Sequence, residues 1–311
     1  MSWDVVRAVV DVGTTSIKLL VAEKIGWAFR TLIDEAEITK LGEGLWPKNV
    51  LSRDAMNRSA EVVADFVEAA RDEGARDVAV VGTMALRSAT NADEFIAKVK
   101  KLCGADTKIL SGEDEARLSW LAAMSGVNRR DEQSVTAFDT GGGSTDFAFS
   151  GKKGEPLRRM SLPIGALKLT EMYFFSDVTS KDIIDEADDD IKKQLKALPQ
   201  NADTMTSILV GIGGTVLTMA SVQELGGMIE DGYVLTLANV TEQLEGYARL
   251  GIREKRLIPG LDPKRADVIL AGSCIVRAVM ETLGAESMII STRGLRHGIM
   301  AEMMAARDSR D

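Results

Sequence analysis

The feature that most constrains the fold is a repeated pattern of apolar strand, small polar turn and second strand. The segment VVDVGTTSIKLLV (9–21) aligns with AFDTGGGSTDFAF (137–149) at an offset of 128 residues. The alignment pairs Asp11 with Asp139, Gly13 with Gly141, and Ser16 with Ser144. Each segment is typical of a β-hairpin. Because the offset is about the length of one domain, the repeat predicts two duplicated α/β halves whose matched turns line the cleft between them.

The rest of the chain fits two such halves. After each hairpin the sequence continues into helical patterns and further short strands. We expect domain I at residues 1–126 together with a C-terminal helix at about 293–311, and domain II at 127–292. The first boundary is placed at the charged turn NRRDE. Within domain I, Asn91 and Glu94 have the spacing of a capping box at the start of a helix.

Composition excludes several classes of function. The chain has 47 acidic and 38 basic residues, a net charge of −9, which disfavours nonspecific binding to nucleic acid or to an acidic membrane. Two isolated cysteines argue against a disulfide scaffold and a zinc knuckle, and make a cytoplasmic location the default. We find no signal peptide and no apolar run of the ~20 residues that a membrane span needs. The sequence therefore predicts a soluble protein with neither nucleic acid nor membrane as a partner.

Histidine content narrows the chemistry further. The single histidine, His297, rules out an HExxH zinc site and any multi-histidine metal cage. A Ser-His-Asp triad would have to use His297, and the G-x-S-x-G motif is missing. Catalysis would therefore depend on carboxylates, a metal ion or backbone donors.

The second glycine-rich turn has the composition of a phosphate-binding loop. It consists of Gly141, Gly142, Gly143, Ser144 and Thr145. Glycines allow backbone N–H groups to approach an anion closely, and the two hydroxyls add donors. The flanking Asp139 and Asp146 would repel phosphate unless a hard cation such as Mg²⁺ lies between them. A hairpin turn that binds nothing is the alternative, and the repeated turn after Asp11 favours phosphate.

Three further motifs have two interpretations each. The segment GIGGT (211–215), which contains Gly213 and Gly214, is typical of tight strand–helix packing or of a third phosphate-facing loop; a Walker A sequence is missing from the chain. Arg87 is suited to clamp a phosphate or to remain a surface charge. The segment GEDEARL (112–118) also has two interpretations. Its acidic residues stabilise the first turn of a helix, which the spacing alone favours, or one of them serves as a general base.

Taken together, these motifs resemble one family. The segments are DVGTTSIKLLV, GTMALRSATN, SGEDEARLSWL, DTGGGSTDFAF, LPIGALKLTE, VGIGGTVLTMAS and STRGLRHGIM. In this order they resemble the exopolyphosphatase/guanosine pentaphosphatase (Ppx/GppA) phosphatase family, in a short two-domain form. The resemblance implies an actin-like α/β fold of the sugar kinase/heat-shock chaperone/actin superfamily, with two ribonuclease H-like domains flanking an active-site cleft.

The resemblance also implies an activity and a set of site residues. The activity is that of an acid anhydride hydrolase, which releases terminal phosphate from inorganic polyphosphate and/or pppGpp with Mg²⁺ or another divalent cation. Glu115 corresponds to the general base that activates water, and Asp11, Asp139 and Asp146 to the metal region. The expected phosphate-binding residues are Gly13, Thr14, Thr15, Ser16, Arg87, Gly141, Gly142, Gly143, Ser144, Thr145, Gly213 and Gly214. The resemblance favours a cytoplasmic bacterial enzyme and allows a homodimer.

Two departures from the family pattern keep other functions open. The family's usual D-x-G-S-N-S is DVGTTS here, a form that also resembles actin-like division and pilus-assembly proteins. The usual GGGSTE is GGGSTD, so that Asp146 is one methylene shorter than glutamate. The alternatives are an actin-like ATP-binding or assembly protein and a non-catalytic sensor of phosphorylated nucleotides.

Overall fold

The computed structural model describes residues 5–26, 28–127, 133–150, 156–174, 178–199 and 208–305. The chain divides into two compact units: unit 1 comprises Met1–Ala122 and Leu295–Asp311, and unit 2 comprises Ala123–Gly294. The expected end of domain I at residue 126 lies four residues after Ala122, where unit 1 breaks off. The expected return to domain I at residue 293 lies two residues before Leu295, where unit 1 resumes. The charged turn at 128–132 lies outside the described residues.

Helices and strands alternate through both units. The chain begins with β1 (Val6–Val12), β2 (Ser16–Ile25), β3 (Ala28–Ile38), α1 (Arg53–Asp72), β4 (Asp77–Gly82), α2 (Met84–Ser88), α3 (Ala92–Cys103), β5 (Thr107–Ile109) and α4 (Gly112–Met124). It continues with β6 (Val135–Thr140), β7 (Thr145–Ser150), β8 (Pro156–Leu162), α5 (Ala166–Tyr173), α6 (Lys181–Leu195), β9 (Ile208–Ile212), α7 (Gly214–Gln223) and β10 (Tyr233–Thr236). The remaining elements are α8 (Leu237–Arg249), α9 (Ile252–Lys255), a 3₁₀ helix (Pro263–Arg265), α10 (Ile269–Thr282), β11 (Ser287–Ile290) and α11 (Leu295–Ala305).

The two sheets have the same strand order. Unit 1 forms the order β3-β2-β1-β4-β5, and unit 2 forms β8-β7-β6-β9-β11 with β10 added at the edge. In each sheet the hairpin pairs antiparallel and the later strands join it in parallel, β1 with β4 and β6 with β9. The prediction of a duplicated two-domain α/β fold is confirmed.

The unit 1 sheet is covered on both faces, as the alternation of its strands requires. Val10 and Val12 of β1 belong to the apolar core that contains residues of α1 and α3. Val9, which points to the other face, packs in a second cluster with Leu295 and Met300 of α11. The segment after residue 294 therefore completes the core of unit 1.

Unit 2 has one large core. Phe138 of β6 and Phe147 of β7 stack with ring centroids 6.3 Å apart, and Phe147 stacks on Phe149 at 6.1 Å. Helix α10, with Cys274 among its eleven buried residues, packs into the same cluster. Burial raises the pKa of the Cys274 thiol to about 12, so this cysteine is an inert part of the core.

One local prediction is wrong. Asn91 is the N-cap residue of α3, but its side chain makes no capping hydrogen bond. The amide instead pairs with the backbone of Leu51, accepting from N at 2.9 Å and donating to O at 3.1 Å. This long-range pair satisfies both groups of the amide at once, so the capping box does not form.

None of the described helices is both long enough and apolar enough to span a bilayer.

Helix α11 is attached to β3 through Asp34. Arg296 Nε donates to Asp34 Oδ1 at 2.7 Å, and His297 Nε2 lies 3.3 Å from Asp34 Oδ2. Burial by itself would raise the pKa of Asp34, but the hydrogen bond from His297 and the charge of Arg296 outweigh it and lower the pKa below its usual value.

This lowered pKa predicts how stability depends on pH. A carboxyl whose pKa is lower in the folded state stabilises the fold above its unfolded pKa of about 3.9, and that stabilisation is lost as the pH falls through the folded pKa. Asp34→Asn should therefore reduce the free energy of unfolding at pH 7 and weaken its dependence on pH below about 4. Urea unfolding across this range measures both effects. Glu35→Gln, at an exposed neighbour on β3, is the control; equal losses in both variants would contradict the prediction.

Candidate active site

The first turn of the repeat presents hydrogen-bond donors. The backbone N of Gly13 donates to Ser16 O at 3.1 Å and closes the turn. The carbonyl of Thr14 accepts from the N of Gly42 at 2.9 Å, and that of Thr15 accepts from the backbone N of Thr39 and Lys40, at 3.1 and 2.8 Å. In the described part of the chain, the backbone N–H groups of Thr14 and Thr15 have no acceptor. With its carbonyls held elsewhere, the turn has the polarity that an anion requires.

The second turn repeats this arrangement. Gly141 N donates to Ser144 O at 2.9 Å, as Gly13 does to Ser16. The carbonyl of Gly141 accepts from Ala166 N at 2.9 Å, and that of Gly142 accepts from Leu167 N at 2.9 Å and from the N of residue 168 at 3.1 Å. The start of α5 thus holds the carbonyls of this turn. No acceptor occurs among the described residues for the amides of Gly142 and Gly143, which leaves them as donors.

Thr145 and Gly165 support the second turn and do not face outward from it. The Thr145 hydroxyl, expected to bind phosphate, donates to Ile164 O at 2.8 Å and ties β7 to the start of α5. Gly165 precedes α5 in extended backbone, with φ −143° and ψ 151°. A Cβ atom there would overlap the backbone of Gly142 and Gly143. Contact between α5 and the turn is therefore backbone against backbone.

The carboxylates beside the two turns differ in their partners. Asp11 lies opposite Lys18 in the β1–β2 pair, and the Lys18 Nζ lies 3.3 Å from Asp11 Oδ2. In the β6–β7 pair the corresponding residues are Asp139 and Asp146, which lie directly opposite each other. Unit 1 thus has a carboxylate paired with a cation, and unit 2 has two carboxylates on opposite strands, of which Asp146 is buried and Asp139 is half-buried.

The unit 2 carboxylates fit a divalent cation. Gly213 has φ +94°. A Cβ atom at this position would overlap Asp139 Oδ1, so the glycine leaves room for the carboxylate. Mg²⁺ commonly takes one or two carboxylates and completes its shell with water and phosphate oxygens, so two suffice. No three histidine, cysteine or acidic side chains of the described residues come close enough to form a metal cage.

Arg87 and Glu115 are brought together in unit 1. Arg87, on α2, donates from Nη1 to Glu115 Oε1 and to Leu110 O, the latter at 2.8 Å. Glu115 is 5% exposed, whereas Glu113 is exposed. The Ser111 hydroxyl donates to Asp114 Oδ2 at 2.9 Å. Of the acidic residues in this segment, Asp114 thus has the helix-stabilising role that the spacing favoured.

Arg265 lies beside the glycine turn at 213–214, and the sequence did not indicate it. Gly213 and Gly214 lie at the N-terminus of α7, and a Cβ at Gly214 would be 2.5 Å from Arg265 Nη2. The guanidinium has no hydrogen bond in the described structure, and burial lowers its pKa. The N-terminus of a helix carries a partial positive charge, which repels a nearby guanidinium. An anion bound between the guanidinium and the helix end would be attracted by both. An isolated arginine at the end of a three-residue 3₁₀ helix (Pro263–Arg265) has no spacing signal, so only the structure identifies it.

The fold with these two turns is that of known phosphatases. An exopolyphosphatase structure from Cytophaga hutchinsonii is 25% identical with a TM-score of 0.89, and the match covers 96% of this chain and 98% of that one. The Aquifex aeolicus member of the Ppx/GppA protein family is 26% identical with a TM-score of 0.80, over 98% of this chain and 99% of that one.

The sequence comparisons identify the family. The profile of the Ppx/GppA phosphatase family matches residues 20–307, and this chain belongs to that family. A guanosine-5'-triphosphate,3'-diphosphate pyrophosphatase from Photobacterium profundum is 31% identical over 299 residues, which make up 96% of this chain and 59% of that protein. The chain spans about half the length of the curated relatives it matches, 59% of this one and 46% of a second. The family resemblance predicted from the motifs is confirmed.

Proposed function

We propose that this protein is a phosphohydrolase that releases terminal phosphate from inorganic polyphosphate and/or pppGpp. The observation that carries the proposal is the pair of matching turns, each with free backbone N–H donors and with its carbonyls held by other segments. Such turns bind the oxygens of a phosphate chain and exclude cations from the same positions. The substrates follow from the relatives: one is named for guanosine 5'-triphosphate,3'-diphosphate and another is an exopolyphosphatase.

Glu115 is the general base in this proposal. Its carboxylate takes a proton from water as the water oxygen bonds to the terminal phosphorus, and the bridging P–O bond breaks to release the shortened chain. Arg87 orients Glu115 through the hydrogen bond to Oε1, and its other donors are available to a phosphate oxygen. Because a guanidinium has five N–H donors, it can hold the base and the substrate together.

The backbone donors stabilise the charge that develops during the reaction. Amides fixed before the substrate binds need no reorganisation when negative charge shifts between oxygens. In unit 2 the hydroxyl of Ser144 adds a further donor beside the amides of Gly142 and Gly143. Asp139 and Asp146 would hold a divalent cation, which when bound neutralises phosphate charge and so allows two carboxylates beside an anion.

Phosphate release in parallel assays tests the proposal. The full chain is assayed with Mg²⁺ on long-chain polyphosphate, pppGpp and ATP, beside Glu115→Gln. Release from polyphosphate or pppGpp that collapses in the variant supports the proposal and identifies the substrate. Turnover of ATP alone, unaffected by the variant, would favour an actin-like ATPase instead. Saturable binding of pppGpp without turnover would favour a sensor.

Arg265 provides a separate prediction. If its guanidinium binds substrate phosphate, Arg265→Met should raise KM about 10- to 100-fold, the effect of losing one charge-assisted contact worth about 1.5–3 kcal/mol. The free energy of unfolding should stay constant or increase, because in the described structure the guanidinium has no hydrogen bond to lose and the attraction of Asp262 is weaker than the cost of its burial. Steady-state kinetics and urea unfolding measure the two quantities. Lys264→Met, at the exposed neighbour, is the control; a loss of stability with KM unchanged would show that Arg265 is structural.

A further inference from the structure

Helix α2, which holds Arg87, is too short to fix its own orientation. It has five residues, Met84–Ser88, and a helix below about 12 residues is marginal in water without tertiary support. The side chains of residues 84–86 are buried, and Arg87 extends from the last turn to donate to Glu115 Oε1. The position of the guanidinium therefore depends on the segments that hold the two ends of α2.

The N-terminal end of α2 is tied to the first turn of the repeat. Thr83 donates twice to the carbonyl of Val12, from its backbone N at 3.2 Å and from its hydroxyl at 3.3 Å. Val12 directly precedes Gly13, whose N–H closes the turn. Because Thr83 is 6% exposed, water competes little for these bonds. A shift at the start of α2 would therefore also move the turn.

Four hydrogen bonds tie the chain just after α2 to a distant loop. Thr90 donates to Asn49 O, from its backbone N at 2.8 Å and from its hydroxyl at 3.1 Å. Asn91, the next residue, accepts from Leu51 N at 2.9 Å and donates to Leu51 O at 3.1 Å. Asn49 has φ +55°, a conformation that asparagine adopts more readily than most residues. The bonds join partners that lie 40 and 41 residues apart in the chain.

This loop, residues 39–51, also holds the first turn. Gly42 N donates to Thr14 O at 2.9 Å, and a Cβ at Gly42 would overlap the Thr14 side chain, so loop and turn are in direct contact. Three leucines of the loop are buried in the unit 1 core: Leu41, Leu45 and Leu51. The core thus fixes the loop, and the loop relates the position of the turn to that of residues 90–91.

Turn, loop and α2 form a closed ring of contacts, in which Asn91 supplies a link made by side-chain groups alone. Its amide has an oxygen that accepts and a nitrogen that donates, and these match the N–H and C=O of one backbone residue. As the cap of α3, the same side chain would use only its oxygen and would leave Leu51 without this link. The pairing with Leu51 in place of the helix end therefore closes the ring.

We propose that Asn91 is a positioning residue for phosphate release. Its pair with Leu51 holds α2 so that Arg87 and the donors of the first turn act on the same phosphate chain. This inference rests on the proposed function, in which Arg87 orients Glu115 and binds a phosphate oxygen. Asn91 acts through α2 and needs no contact with the substrate.

A double-variant cycle in the full chain with Mg²⁺ tests the proposal. Asn91→Ala should lower kcat about 10- to 100-fold, because misplacement by up to ~1 Å in a positioned site costs up to about 10²-fold. It should also raise the Kd for tripolyphosphate, measured by calorimetry, at least about threefold. In an Arg87→Met background the same substitution should change kcat and Kd by no more than about twofold, because no guanidinium is left to position. The shift in urea midpoint caused by Asn91→Ala should be equal in both backgrounds, which separates positioning from stability.

Ser52→Ala is the matched control. The Ser52 hydroxyl, next to Leu51 in the chain, accepts from Ala55 N at 3.2 Å and caps α1. Its loss destabilises the fold without removing a bond of residues 90–91. Both kcat and Kd should stay within about twofold of the wild-type values.

The outcomes distinguish this inference from the proposed function. An Asn91→Ala chain with wild-type kcat and Kd, or with equal losses in both backgrounds, would overturn the positioning role alone. A wild-type chain that binds tripolyphosphate but releases no phosphate would contradict the proposed function. The cycle in Kd would then still decide whether Asn91 positions Arg87.

Discussion

Glu115→Gln should lower kcat for phosphate release by about 10²- to 10⁴-fold, the usual contribution of a positioned general base. The amide has the shape of the carboxylate and its oxygen can still accept from Arg87, so the local structure is kept while the proton acceptor is lost. KM should change little, since Glu115 acts on water and not on the phosphate chain. Rates measured with saturating polyphosphate and pppGpp give the comparison.

The neighbouring acid provides the matched control. Glu113→Gln changes the same functional group two residues earlier on α4, where the side chain is exposed. Its kcat should stay within about twofold of wild type, because an exposed carboxylate does not reach the reacting water. The variant should lose only a helix-dipole interaction, which contributes roughly 0.3–1 kcal/mol to stability. If both variants lost activity equally, the effect would belong to the charge of the helix start. If neither did, Glu115 would not be the base.

Gly165→Ala should reduce activity about 100-fold or more, although the substitution adds one methyl group and removes no polar contact. The new Cβ would overlap the backbone of Gly142 and Gly143, which has no side chain that could rotate away. Either α5 or the turn must move, and displacements near 1 Å in a positioned site cost on the order of 10²-fold. Overpacking should also cost about 1–3 kcal/mol of unfolding free energy. Phosphate-release assays and urea unfolding measure both losses.

Gly246→Ala is the control for the added methyl. Gly246 lies inside α8, and a Cβ there would have nothing within 4 Å. Since alanine is favoured over glycine in a helix by about 1 kcal/mol, this variant should be slightly more stable and fully active. A Gly165→Ala enzyme with wild-type activity would show that α5 does not position the turn.

The sequence predicted the parts of the protein that local patterns determine. Strand–turn–strand periodicity located both hairpins, and the 128-residue repeat correctly predicted that the two sheets are built alike. The structure also places Arg87 next to Glu115, which the motifs had indicated separately. The sequence predicts these features because each of them depends on residues that are close together in the chain.

The missed features depend on pairs that are distant in the chain. Thr145 stays a predicted phosphate-binding residue, but the sequence did not show that its hydroxyl donates to Ile164 O, 19 residues later. Asn91 has the spacing of a cap, but its amide pairs with Leu51, 40 residues earlier. Arg265 reaches Gly214 across 51 residues with no motif around it. Short polar side chains have several partners of similar energy, and tertiary contacts decide among them.

The route of the chain through unit 1 affects the order in which the protein can fold during synthesis. One face of the β1–β2 hairpin, with Val9 and Leu20, is covered by Leu295 and Met300 of α11. The ribosome makes all of unit 2 between these two parts. Unit 2 is contiguous and can fold as soon as it emerges, whereas the first 122 residues wait with an uncovered apolar face until residues 295–305 follow. We therefore expect nascent chains that end before α11 to expose this apolar face and to need protection from aggregation.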